Sequence, residues 1–181
     1  DGAGRLKDIE VWDVARTNRV LLLRATPWGA FTFHPRLPRV MVGRAPNAVV
    51  TWDLESGEEI GRHQVEGQPL VLKLSPNGDL FATAEASGRQ WKVALYDVAS
   101  GASRTNQLFA EWVTDLDWHP TGRWVGIPDH GGNVHLLDSQ TGTIRLLGQH
   151  TVDAVVTAFS PDGRYLFSGG WDRRLICWDL N

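Results

Sequence analysis

Three residues in the last quarter of the chain have the types that hydrolytic chemistry uses: His150, Ser168 and Asp172. A serine attacks, a histidine takes its proton, and a carboxylate holds the imidazole in the right tautomer. Ser168 stands in Phe167-Ser168-Gly169-Gly170, which is not the sharp glycine-flanked turn that presents a nucleophile. Asp115 and Asp117 lie two apart, so on a strand they share a face, where paired carboxylates do acid–base work or hold a cation. No third acidic or imidazole partner stands at a suitable spacing, and a structural pairing between elements is the expectation. Asp129-His130-Gly131-Gly132 reads as a loop turn rather than a metal fragment. His34 and His119 precede prolines and read as turn caps, and Cys177 in an apolar run reads as a packed thiol. The glycines form no phosphate-binding loop. The expectation is therefore no catalytic residue, no metal and no cofactor.

The elements that must position these residues repeat along the chain. An aromatic or apolar residue followed by Asp recurs at Trp12-Asp13, Trp52-Asp53, Tyr96-Asp97, Leu137-Asp138 and Trp178-Asp179, at spacings of 40, 44, 41 and 41. A Ser-Pro or His-Pro turn recurs at Pro35, Pro76, Pro120 and Pro161, at spacings of 41, 44 and 41. Gly57, Gly101 and Gly142 each follow an Asp landmark by four. The irregularity is three extra residues within Ala82–Lys92, placed in a loop around Ala86–Trp91. Between landmarks run short apolar alternations bounded by turn residues, as in Ala154–Phe159, which read as strands. No long 3.6-residue period suggests a helix. Each unit predicts four strands, giving two strands, three complete units and three further strands, 17 in all.

Four strands per unit of about 40 residues, closed by Trp-Asp, resemble the blades of the WD-repeat (Trp-Asp repeat) β-propeller family. The last unit carries the likeness most fully: His150, Phe159-Ser-Pro-Asp-Gly163, Ser168-Gly169-Gly170-Trp171-Asp172 and Trp178-Asp179. Earlier units depart from it, with Leu137 in place of Trp and with Phe109, Val65 and Arg24 where the last unit has His150. The resemblance implies an all-β propeller of four-stranded antiparallel blades, about four in this chain. It divides the chain at 1–26, 27–67, 68–111, 112–151 and 152–181. It also implies a ring of seven or eight blades in a larger whole, since a blade needs a neighbour on each face. Missing flanking blades, or self-association through the uncovered faces, are the expected ways to close it. For His150, Ser168, Asp172 and Trp178, the resemblance implies a buried structural hydrogen-bond network. The repeat tryptophans are expected mostly in the core.

Binding surfaces on such a fold come from rim loops, because the strands are committed to packing. The resemblance places Ala45, Arg89, His130 and Trp171 on one face, with Pro27, Gln68, Trp112 and Asp153 where the chain leads into each first strand. Trp91 and Glu111 flank these positions. The partner-binding candidates are Gln68, Arg89, Trp91, Trp112, His130, Asp153 and Trp171. Lys plus Arg number 18 against 21 acidic residues, a net charge of −3, which argues against a generic nucleic-acid or anionic-membrane binder. One cysteine forms no internal disulfide and permits a reducing compartment, so a cytoplasmic setting is expected. The expected function is a non-catalytic interaction or scaffold module for a protein or peptide. The alternatives are a propeller-borne hydrolase or metal-site enzyme, and a sensory or scaffold segment of a larger signalling protein such as a kinase.

Overall fold

A computed structural model describes residues 7–25 and 30–181, all of them strands, turns and loops, with no helix among the described residues. Leu6 and Pro27 fall outside that set. The first sheet pairs β1 (Lys7–Asp13) with β2 (Asn18–Ala25). The second orders β3 (Phe31–Phe33), β4 (Arg39–Arg44), β5 (Ala48–Asp53) and β6 (Glu59–Gln64) as a meander. The third contains β7 (Gln68–Leu74), β8 (Leu80–Ser87), β9 (Gln90–Asp97) and β10 (Ser103–Phe109). The fourth contains β11 (Asp117–Trp118), β12 (Trp124–Pro128), β13 (Asn133–Asp138) and β14 (Ile144–Gln149). The last has β15 (Ala154–Phe159), β16 (Tyr165–Gly170) and β17 (Leu175–Asp179). All pairings are antiparallel, so these are propeller blades, and the all-β propeller expected from the repeat is the fold observed.

The landmark residues explain the turns. Three landmark Asp residues accept the backbone N–H groups two and three residues on: Asp53 Oδ1 from Glu55 and Ser56, Asp97 Oδ1 from Ala99 and Ser100, Asp138 Oδ1 from Gln140 and Thr141. The glycine four residues on must turn left-handed to close this loop, and Gly57, Gly101 and Gly142 have φ of 73°, 72° and 71°. After Asp13 that place falls to Thr17, which holds a φ of 52° without a glycine's freedom. The Pro turns close by N–H donation from Gly78 to Ser75, Gly122 to His119 and Gly163 to Ser160.

Packing lies between blades. The second strands supply much of it: β4 buries Val40, Met41 and Val42, and β8 buries Phe81, Ala82 and Ala84. The largest cluster sets Ala84, Val93, Leu95 and Phe109 of the third sheet against Leu116, Trp118, Val125 and Ile127 of the next blade. Side chains also cross between inner strands. Trp118 Nε1 donates to the Lys73 carbonyl, and Phe159 N donates to Asp117 Oδ2 at 2.7 Å.

Four expectations need correction. The three extra residues do not form a loop. They lengthen β8 and β9 to eight residues each, and the ladder continues to Ser87↔Gln90 around a two-residue turn, Gly88-Arg89. Continuous burial along both strands favours extension, and Gly88 with φ 64° supplies the tight reversal. Asp115 is not on a strand: β11 is reduced to Asp117–Trp118, with an isolated bridge Val113↔Asp129. Cys177 is exposed on β17, because no described residue covers that face. Among the tryptophans Trp118 is buried, but Trp12 is 54% exposed and Trp171 65% exposed.

Candidate interaction site

The last blade brings His150, Ser168, Asp172 and Trp178 together. His150 Nδ1 lies 2.9 Å from Asp172 Oδ1, His150 Nε2 lies 2.8 Å from Ser168 Oγ, and Trp178 Nε1 donates to Ser168 Oγ at 2.9 Å. Proton positions follow from these partners. A carboxylate only accepts, so Nδ1 carries hydrogen; Nε2 then accepts from the serine O–H, whose oxygen accepts from the indole. Burial pushes the Asp172 carboxyl up, but hydrogen bonds from His150 and from the Thr151 and Arg174 N–H groups outweigh it and hold it down at about 2. Gly170 makes room for the imidazole, because a Cβ there would stand 2.6 Å from His150 Nδ1 and 2.8 Å from the Asp153 carbonyl.

This is the arrangement of a hydrolytic triad, but the environment is wrong for one. Ser168 is 1% exposed and His150 5%, and the indole N–H also occupies the serine oxygen. A nucleophile needs a path to substrate and donors for the developing oxyanion. What the arrangement can do is tie the loop after β14, the turn after β16, and strands β16 and β17 into one hydrogen-bonded unit.

The middle blades carry different polar interiors at the same station. Opposite the residue seven before each turn proline, the second strand presents Glu85 in one blade, Asp129 in the next and Gly170 in the last. Glu85 is fully buried and accepts from Gly67 N at 2.7 Å, Thr83 Oγ1 at 2.6 Å and Tyr96 OH at 2.9 Å. The Lys92 ammonium, 4% exposed, sits 3.1 Å from Glu85 and 2.8 Å from Glu66. Asp129 accepts from Gly131 N, Asn133 N and Nδ2, and His135 Nε2. Burial pushes its carboxyl up, but these donors outweigh burial and leave it below its ordinary value. The Glu85 cluster escaped sequence reasoning. Its signal was a Glu in an otherwise apolar run, Phe81–Ala86, facing Lys92 in register.

Asp115 and Asp117 face the neighbouring blade. Asp115 Oδ2 accepts from Thr157 N at 3.3 Å and Asp117 Oδ2 from Phe159 N. Burial pushes the Asp117 carboxyl up, against the pull of the Phe159 N–H and Lys73. No group of three metal-binding side chains occurs among the described residues.

On the face formed by the turns between second and third strands, four rings run in a row across three blades. Trp91 of β9 stacks on Trp112 with centroids 5.5 Å apart and planes 16° from parallel. Trp112 meets His130 at 4.8 Å, and His130 meets Trp171 at 5.8 Å. The backbone sets this row: His130 N donates to the Trp112 carbonyl and Trp171 N to that of Asp153. The Asp153 carboxylate stands 3.5 Å from His130 Nδ1. Gln68 lies beside Trp91 and Trp112, lining a cleft of about 340 Å³. Arg89 stands apart from the row, exposed at the tip of the β8–β9 hairpin. Ala45 precedes Pro46 in the corresponding turn of the β3–β6 sheet. Register identified the positions; that the rings stack was not readable from it.

Four-stranded antiparallel blades, stacked face to face and closed by Asp-capped turns, define the β-propeller class. A hydrazine synthase chain from Kuenenia stuttgartiensis superimposes with a TM-score of 0.80 over 96% of this chain and 58% of that one, and at 18% identity this likeness shows the fold alone. The family model described as WD domain, G-beta repeat matches residues 141–179. The chain is 26% identical over 136 residues to WD repeat-containing protein SL1-17 of Schistosoma mansoni, covering 73% of this chain and 44% of that protein. It is 22% identical over 166 residues to human WD repeat and FYVE domain-containing protein 1, covering 86% and 39% respectively. The chain is thus similar to WD-repeat proteins, on a fold shared with propellers. It spans 44% and 39% of the length of these two relatives.

Proposed function

We propose that this chain is a non-catalytic interaction module that presents its aromatic face to a protein or peptide. Likeness to WD-repeat proteins supports an interaction or scaffold role in general terms. The observation that carries the finer reading is the row Trp91–Trp112–His130–Trp171, which draws on three blades and leaves Trp112 44% and Trp171 65% exposed. Large rings held on a rigid frame give contact area at little entropic cost, and Trp and Arg dominate interface energetics. Gln68, Arg89 and Asp153 supply polar contacts around the row.

The test is quantitative capture from lysate with the wild-type protein, Trp112→Ala and Trp171→Ala, each checked for an unchanged melting profile. Trp171 is mostly solvent-exposed, so its removal leaves the fold intact. The reading requires a defined set of proteins to be retained by the wild type and lost by both variants. Unchanged retention would show that another face binds.

A further inference from the structure

Between the aromatic row and the inner strand β7 lies a cleft of about 340 Å³ lined by Gln68, Leu70, Val71, Trp91, Trp112 and Thr114. Its walls are apolar for a structural reason. Leu70 is the extra residue of a bulge between Pro69 and Val71, and a bulge re-aims the side chain it carries. Leu70 and Val71 therefore both line the cleft, against the Trp91–Trp112 stack on the other side. The Thr114 hydroxyl is already engaged, donating to the Val155 carbonyl at 2.9 Å. The Gln68 side-chain amide is not: it has no hydrogen-bond partner among the described residues. A primary amide offers one acceptor and two donors, which matches the C=O and N–H of a peptide group.

The charges nearby have one predominant sign. Glu111, adjacent to Trp112, is exposed and has no ion pair among the described residues. Glu66, two residues before Gln68, keeps its side chain 64% exposed although it meets Lys92. Asp153 is shared only with His130. A phosphate backbone would be repelled here.

Resting on the interaction reading above, we infer that this cleft takes an extended polypeptide segment bearing one aliphatic or aromatic anchor flanked by Lys or Arg. The anchor enters between Leu70–Val71 and the stacked indoles, Gln68 pairs with the segment's main chain, and the basic flanks meet Glu66, Glu111 and Asp153.

The experiment uses an array of octapeptides whose central position runs through all residue types while the flanks are Lys, Ser or Glu. It is probed with the wild-type chain and with Gln68→Ala, Trp112→Ala and Ser103→Ala. The expected result is retention for Leu, Ile, Met, Phe or Trp centres with Lys flanks, weakening with added salt. Gln68→Ala and Trp112→Ala each lower the affinity about tenfold or more, whereas Ser103→Ala, exposed and outside both the aromatic row and the cleft, leaves it unchanged. Gln68→Ala removes no side-chain hydrogen bond made among the described residues, and an unchanged melting profile distinguishes its loss of binding from a folding defect. Retention indifferent to the central residue, preference for Glu flanks, or no retained peptide overturns the inference. If lysate partners are still lost with Trp171→Ala while the array shows no such pattern, the face reading stands and the cleft reading falls.

Discussion

Replacing Ser168 with alanine removes one oxygen that serves two partners. The Trp178 indole N–H loses its acceptor at 2.9 Å, and His150 Nε2 loses its donor at 2.8 Å. His150 has a fully buried side chain, so no water replaces the hydroxyl there. The indole is partly exposed and recovers some of its loss. An unsatisfied buried polar group costs about 1–3 kcal/mol, so the pair costs about 2–4 kcal/mol once the indole is discounted. For a chain of this length each kcal/mol moves the melting temperature by about 2–4 °C, so Ser168→Ala melts roughly 5–15 °C lower. Differential scanning calorimetry of Ser168→Ala beside the exposed control Ser103→Ala reads this directly. A serine-directed fluorophosphonate probe should leave Ser168 unlabelled in the folded protein. A melting shift equal to the control's, or stoichiometric labelling of Ser168, would refute the reasoning, the second in favour of a hydrolase.

Other perturbations follow from the same geometry. Glu85→Ala leaves the buried Lys92 ammonium with Glu66 alone and strands the Tyr96 and Thr83 hydroxyls, and chemical denaturation should show a loss of about 3–5 kcal/mol. Adding Lys92→Met to it should cost less than the sum of the two single changes, since the buried charge disappears. Gly170→Ala drives a Cβ against His150 and the Asp153 carbonyl and should destabilise by about 1–3 kcal/mol, with displaced His150 ring resonances in NMR. Burial, with Arg39 and Arg36, holds His34 below its ordinary value, and burial does the same to His63. Both are neutral folded and protonate more readily unfolded, so their contribution is complete above pH of about 6.5 and is lost as pH falls below it. Melting temperatures measured from neutral to mildly acidic pH should fall, and His34→Gln with His63→Gln should flatten the slope.

The landmarks made the strand pattern legible because each has a local physical job. The Asp caps its own turn, the glycine turns left-handed, and the proline opens the hairpin between first and second strands. Such jobs depend on near neighbours in sequence, which is why all 17 strands were readable. The extra residues in Ala82–Lys92 misled because strand and loop differ there only in whether Ser87 and Gln90 pair, and that is decided by Gly88. The Glu85–Lys92–Tyr96 interior was hidden because each partner alone looks like a departure from pattern. Only the register makes them one group. In the aromatic row the positions were readable from the repeat, but the Trp91–Trp112 stack depends on how two blades approach.

The station occupied by Glu85, Asp129 and Gly170 has a consequence for assembly of the chain. Near-identical modules invite strands to dock into the wrong copy, a hazard of tandem architectures. Here each module demands its own counterpart: β9 brings Lys92 and Tyr96 to a carboxylate, β13 brings Asn133 and His135 to a shorter one, and β17 brings an indole to a hydroxyl. A third strand that strayed into a neighbour's sheet would bury an ammonium or an imidazole with nothing to answer it. The divergent interiors thus act as addresses, directing otherwise interchangeable strands to their own place in the order.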